Sequence, residues 1–166
     1  MYTLVDGETA VVSRDADGAF IPADPDNADW QVYQAWLAAG NTATPAPAPS
    51  AADLTAYAAS VRYARETGGV TVSGQAIRAD RDSRNLISGA VSLLGADTSL
   101  ASVDFKAPTG WVQIPRAQMI AIGLAVERYV QACFTAEQGV DADIAAGTAK
   151  THADIDASTR WPSTAL

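Results

Sequence analysis

Three pairs of short apolar runs, each split by turn residues, alternate with stretches of helical periodicity along this chain. Thr9–Val12 and Ala19–Ile21 flank Asp17-Gly18, a dipeptide suited to the left-handed backbone of a type I′ turn. Pro22 and Pro25 stop the second strand, because neither can donate to a ladder. Asp26 or Asn27 caps the helix that follows, in which Trp30, Tyr33 and Trp36-Leu37 recur at three- and four-residue intervals on one face. Gly40-Asn41 ends it. A hairpin plus a short helix is too small to bury such an aromatic stripe, so the stripe is expected to dock elsewhere.

Thr42–Ser50 alternates alanine and proline and predicts a semi-rigid polyproline tether. Ser50 then caps a helix over Ala51–Thr67 with Leu54, Tyr57-Ala58, Val61 and Ala64-Arg65 on one face, ended by Gly68-Gly69. Val70–Val72 and Ala76-Ile77 flank Ser73-Gly74 as a second tight hairpin. Asp80 or Asp82 caps a helix through Leu94, its stripe formed by Leu86-Ile87, Ala90-Val91 and Leu94. Ala96–Ser102 reads as a loop. Val103–Lys106 and Trp111–Ile114 form a third hairpin, and Pro115 starts a helix to about Ala146. Met119, Ile122, Val126, Tyr129-Val130, Cys133-Phe134 and Ile144 line that helix, which would run about 45 Å at 1.5 Å per residue and form the spine of its domain. Gly139 is a candidate break. A last helix is expected over Thr151–Thr159, before Trp161-Pro162.

These elements predict a helix-dominated α+β fold: a docking module over residues 1–41, a linker over 42–50 and a domain over 51–162. The second and third hairpins are expected to join in one antiparallel sheet under the helices. A chain of 166 residues can bury about two-thirds of its unfolded surface, enough to dispense with disulfides or metals.

Charge and rare residues narrow the chemistry. The net charge is −8, and residues 1–44 hold seven acids against Arg14 alone. An acidic surface repels phosphates, so no nucleic-acid partner is expected. The start, Thr3–Val5 followed by Asp6-Gly7-Glu8, lacks the basic and apolar regions of a signal peptide, and no run is expected to span a membrane. A soluble, non-secreted protein is the expectation.

Cys133 is the single cysteine and His152 the single histidine, which leaves no cysteine-based zinc site and no histidine cluster. Cys133 falls on an apolar stripe, as a small hydrophobe would, and His152 sits in a polar terminal helix. Asp15, Asp17, Asp24 and Asp26 do not follow a calcium loop, because Phe20 stands where its glycine belongs. Gly68-Gly69 and Ser73-Gly74 lack the lysine of a nucleotide loop. Arg78, Arg81 and Arg84 enter a helix at three-residue spacing; they either clamp an anion or pair with Asp80 and Asp82. No catalytic residue, cofactor or metal is expected.

Two stretches resemble known families. Asp17-Gly18-Ala19, Ile21-Pro22, Asp24, Asn27, Asp29-Trp30, Tyr33, Trp36 and Gly40-Asn41 follow the order found in the short N-terminal module of tailed-phage fibre and fibre-assembly proteins. Arg62 and Glu66 before Gly68-Gly69, then Arg81, Ser83, Phe105-Lys106, Trp111, Val130–Phe134, Ile144 and Trp161-Pro162 resemble an uncharacterised domain that follows this module in phage tail proteins. The resemblance implies a place and not a chemistry: a virion tail component, made in the host cytoplasm and binding other tail or tail-fibre proteins. Trp30, Tyr33, Trp36 and Leu37 are the expected partner-binding residues, and the tail assembly would set the oligomeric state. A fibre-assembly chaperone and a glycan-binding module using Trp111 or Trp161 stay open as alternatives.

Overall fold

The computed structural model describes residues 1–5, 11–107 and 110–166. The chain divides into two compact units, Met1–Pro49 and Ser50–Leu166. Helix dominates, and the class is α+β.

In the first unit β1 (Tyr2–Leu4), β2 (Val11–Arg14) and β3 (Ala19–Pro22) form an antiparallel sheet in chain order. Thr9 and Ala10 of the expected first run lie outside the described residues. β1 was not expected as a strand, since three residues carry no readable alternation. It pairs Tyr2 with Arg14 and Leu4 with Val12. The turn between β2 and β3 is not type I′: Arg14 pairs with Ala19, so four residues intervene, and of these Gly18 alone is left-handed, at φ +70°. Both Asp17 N–H and Gly18 N–H donate to the Arg14 carbonyl. The carboxylates of Asp17 and Asp29 hold the Arg14 guanidinium.

Helix α1 (Ala28–Ala38) starts at Asn27, whose side chain accepts from the amides of Asp29 and Trp30. The left-handed Gly40 follows its end, and Asn41 Nδ2 donates to the Trp36 carbonyl. Tyr2, Val12, Ile21 and Tyr33 form the core, with Leu4, Trp30, Trp36, Leu37 and Ala43 packed on it. The expected linker begins later than Thr42: Thr44 N–H donates to the Tyr2 carbonyl and Leu4 N–H to the Thr44 carbonyl.

The second unit is built on α4 (Arg116–Ala145), 30 residues long and unbroken at Gly139. Pro115 precedes it, where a missing N–H costs nothing. α2 (Ala51–Thr67) and α3 (Arg81–Ala96) pack along α4. Ser50 and Asp53 close a reciprocal capping box on α2, and Asp80 caps α3. Around the N-terminal half of α4, Met119, Ile122, Val126, Tyr129, Val130 and Cys133 join Val70, Ala79, Ile87 and Leu94. Around its C-terminal half, Ala136, Val140 and Ile144 join Leu54, Ala58, Ala149, Ile155 and Trp161. Burying each larger aliphatic side chain contributes about 1.5–3 kcal/mol. α4 is long and apolar enough to cross a membrane, against expectation, and its apolar face is the one that builds both clusters.

Other expectations fail in detail. β4 (Val70–Val72) with β5 (Gln75–Ile77) and β6 (Ser102–Ala107) with β7 (Gly110–Pro115) are two separate ribbons and not one sheet. The type I′ geometry belongs to the first of these, where Ser73 and Gly74 have φ of 50° and 80°. The free edge of β4 is taken instead by the chain's last residues. Thr71 N–H donates to the Thr164 carbonyl and Leu166 N–H returns to the Thr71 carbonyl. Leu86 and Phe134, expected inside, are exposed. The final helix, α5, spans only His152–Asp156, capped by Thr151.

Candidate interaction surfaces

The α1 aromatics are placed first by their own sheet. Tyr33 is buried, with its ring 5.0 Å from that of Tyr2 and edge-on to it. Trp36 lies 5.1 Å from Tyr2 and Trp30 lies 5.1 Å from Tyr33. Edge-to-face contacts of this kind add about 0.5–1.5 kcal/mol beyond burial. The expectation that the stripe needs an outside surface counted two strands; β1 supplies a third, and with it Tyr2. Tyr33 is thereby used up inside the unit. Trp30, Trp36 and Leu37 stay half-buried at its margin.

Between α2 and α4 lies a charged set that the periodicity reading passed over. Glu66 is only 1% exposed on an otherwise apolar face. Arg62, one turn earlier, reaches Glu66 Oε1 at 3.0 Å and Glu137 Oε2 of α4 at 2.6 Å. Its guanidinium also lies 4.6 Å from the ring centroid of the exposed Phe134. Among the described residues Glu66 Oε2 has no hydrogen-bond partner. The signal available in the sequence was an Arg/Glu pair at i,i+4 within a buried stripe.

Beside this set, Tyr129 Oη donates to the Arg65 carbonyl at 3.1 Å, and burial pushes the phenol up to about 12. Burial also pushes the Cys133 thiol up, which keeps it protonated and unreactive. His152 is half-buried, with its ring 4.2 Å from Tyr57. Tyr57 Oη donates to the Asp156 carboxylate. Of the three arginines around the start of α3, Arg78 pairs with Asp80 at 3.0 Å. Arg81 stacks over Tyr63, and Arg84 Nε has no hydrogen-bond partner among the described residues. Among the described residues no three His, Cys, Asp or Glu side chains are grouped to hold a metal ion.

The two tryptophans of the glycan alternative part ways. Trp161 is buried in the α4–α5 cluster, with its Nε1–H on the Ile155 carbonyl at 2.8 Å. Trp111 is 75% exposed on β7, with Lys106 Nζ 5.5 Å from its ring centroid. Helix α3 also has two sides: Ile87 and Leu94 are buried, whereas Leu86 and Leu93, one residue earlier in each case, face outward.

Residues 47–159 match the family described as a Domain of unknown function (DUF4376), and the chain belongs to that family. No curated protein and no solved structure matches it.

Proposed function

We propose that this member of the DUF4376 family is a non-enzymatic tail component of a tailed bacteriophage, held in the tail tip or fibre apparatus by contacts with other tail proteins. The phage-like order of landmarks at both ends of the chain supports the setting. The outward stripe of α3 supports the partner binding. Leu86 is 66% exposed and Leu93 51%, one heptad apart, on a helix whose adjoining stripe, Ile87 and Leu94, is sealed in the core. Exposed leucines repeating along one helix face serve packing against another protein better than they serve solvation.

The experiment is quantitative mass spectrometry of purified particles carrying either the parent chain or Leu86→Lys/Leu93→Lys. The parent is expected in stoichiometric amount. The double variant is expected to be depleted from particles while melting at the parent temperature, since both side chains are exposed. Absence of the parent from particles, with recovery on the free fibre, would make the chain an assembly chaperone. Undiminished incorporation of the double variant would remove α3 from the interface.

A further inference from the structure

We propose that the outward face of the β6–β7 ribbon is a saccharide-binding platform, in which Trp111 stacks on a sugar ring and Asp104, Gln113 and Lys106 engage its hydroxyls. The inference does not depend on the tail assignment.

The register builds the face. Asp104 pairs with Gln113 and Lys106 with Trp111, and the strand alternation puts these four side chains on one side of the ribbon. The other side carries Val103, Phe105 and Ile114, which pack on the core and hold the ribbon in place. Asp104, Trp111 and Gln113, with Val112 from the other side of the ribbon, border a shallow hollow of about 450 Å³.

The chemistry of the face selects its ligand. An indole three-quarters in water is an unspent apolar surface, and Trp161 shows that the same unit can bury one when its N–H finds a carbonyl. A protein anchor of this size normally sits in a well-packed, fully desolvated pocket. Here the neighbours on the face are a carboxylate, an amide and an ammonium. A pyranose has the complementary pattern, with C–H groups on its faces and hydroxyls at its rim. Asp104 accepts from hydroxyls, Lys106 donates to them, and Gln113 does both. Charge narrows the ligand further. Asp104 and Lys106 cancel, so this face is locally neutral on a chain of net charge −8, which fits an uncharged sugar.

The test is binding of the full chain to an array of neutral and acidic oligosaccharides. A calorimetric titration with the best neutral oligosaccharide on the array then follows. Neutral sugars are expected to bind. Trp111→Ala is expected to weaken binding at least about tenfold, with a smaller loss for Asp104→Asn and retention in Trp111→Tyr, all at an unchanged melting temperature. Absence of any bound sugar, binding confined to acidic glycans, or a Trp111→Ala chain that binds as the parent does would overturn the proposal. Self-association abolished by Trp111→Ala, without sugar binding, would also overturn it and make the face a contact between copies.

Discussion

Gly123 of α4 and Val91 of α3 meet so closely that a Cβ on the glycine would sit 2.7 Å from Val91 Cγ2. The glycine is what lets the two helices approach. Val91 is β-branched and cannot swing away as a long side chain can. Gly123→Ala is therefore expected to destabilise the chain by about 1–2 kcal/mol: overpacking costs about 1–3, and the gain in helix propensity returns up to about 1. Gly139 is the contrast. A Cβ there meets the flexible side chain of Arg160, 2.8 Å from its Cδ, so Gly139→Ala should be neutral or slightly stabilising. Urea unfolding of both variants checks the pair, and equal losses would contradict it.

Arg62 should be the most sensitive charged position. Arg62→Ala leaves Glu66 buried and without its partner, at a cost of about 3–5 kcal/mol. Glu137→Gln removes the less buried acid and keeps an acceptor for Arg62, so it should cost less than Arg62→Ala. Arg62→Leu combined with Glu66→Leu should recover most of the stability lost in Arg62→Ala. Thermal unfolding of the four chains measures this.

Acid should weaken the α3 start. Hydrogen bonds from the Ser83 backbone and hydroxyl, with Arg78 adding, hold the Asp80 carboxyl down at about 2. An unfolded aspartate titrates near about 3.9. The folded value is the lower one, so this stabilisation is full above about pH 4 and is lost as the pH falls towards 2. Asp80→Asn keeps a capping side chain without the charge. Its unfolding midpoint should lie below the parent's at pH 6 and converge with it near pH 2. A constant gap across that range would refute the assignment.

The first unit should fail by itself when its aromatic core is cut. Tyr33→Ala removes the ring at the centre of the Tyr2–Trp30–Trp36 cluster, a change of about 3–5 kcal/mol for a buried aromatic. Hydrogen exchange should show protection lost across the described residues of 1–49 and kept across 50–166. Loss of protection in both would mean that the units do not stand on separate cores.

Where the chain writes its structure locally, it was legible. Ser50 marks a helix start by its own hydrogen-bonding chemistry, Asn27 and Asp80 do so as one of two candidates each, and Gly68-Gly69 marks an end; Thr151 was expected inside the last helix and caps it instead. The long stripe from Met119 to Ile144 did place the spine. What escaped depends on partners distant in sequence. β1 is a strand because β2 lies beside it, and the β4 edge is completed by residues almost a hundred positions later. Leu86 and Phe134 fit an apolar stripe by spacing, yet a stripe read along one helix does not say how wide a neighbour will cover it. The i,i+4 spacing of Arg62 and Glu66 was there to read, but not the burial of Glu66, which depends on α4 packing over the pair. Of the surface candidates, the exposure of Trp111 and the burial of Trp161 could not be told apart before the fold was known.

The late start of the tether has a mechanical consequence. Any tension drawn along Pro45–Pro49 enters the first unit at Thr44, where two backbone hydrogen bonds to β1 lie in its way. These bonds form a clip that must open before force reaches the Gly40 turn and then α1. A proline at position 44 would remove the amide that closes one of them. Pulled in an optical trap, such a chain should yield first at that clip, and at lower force than the parent.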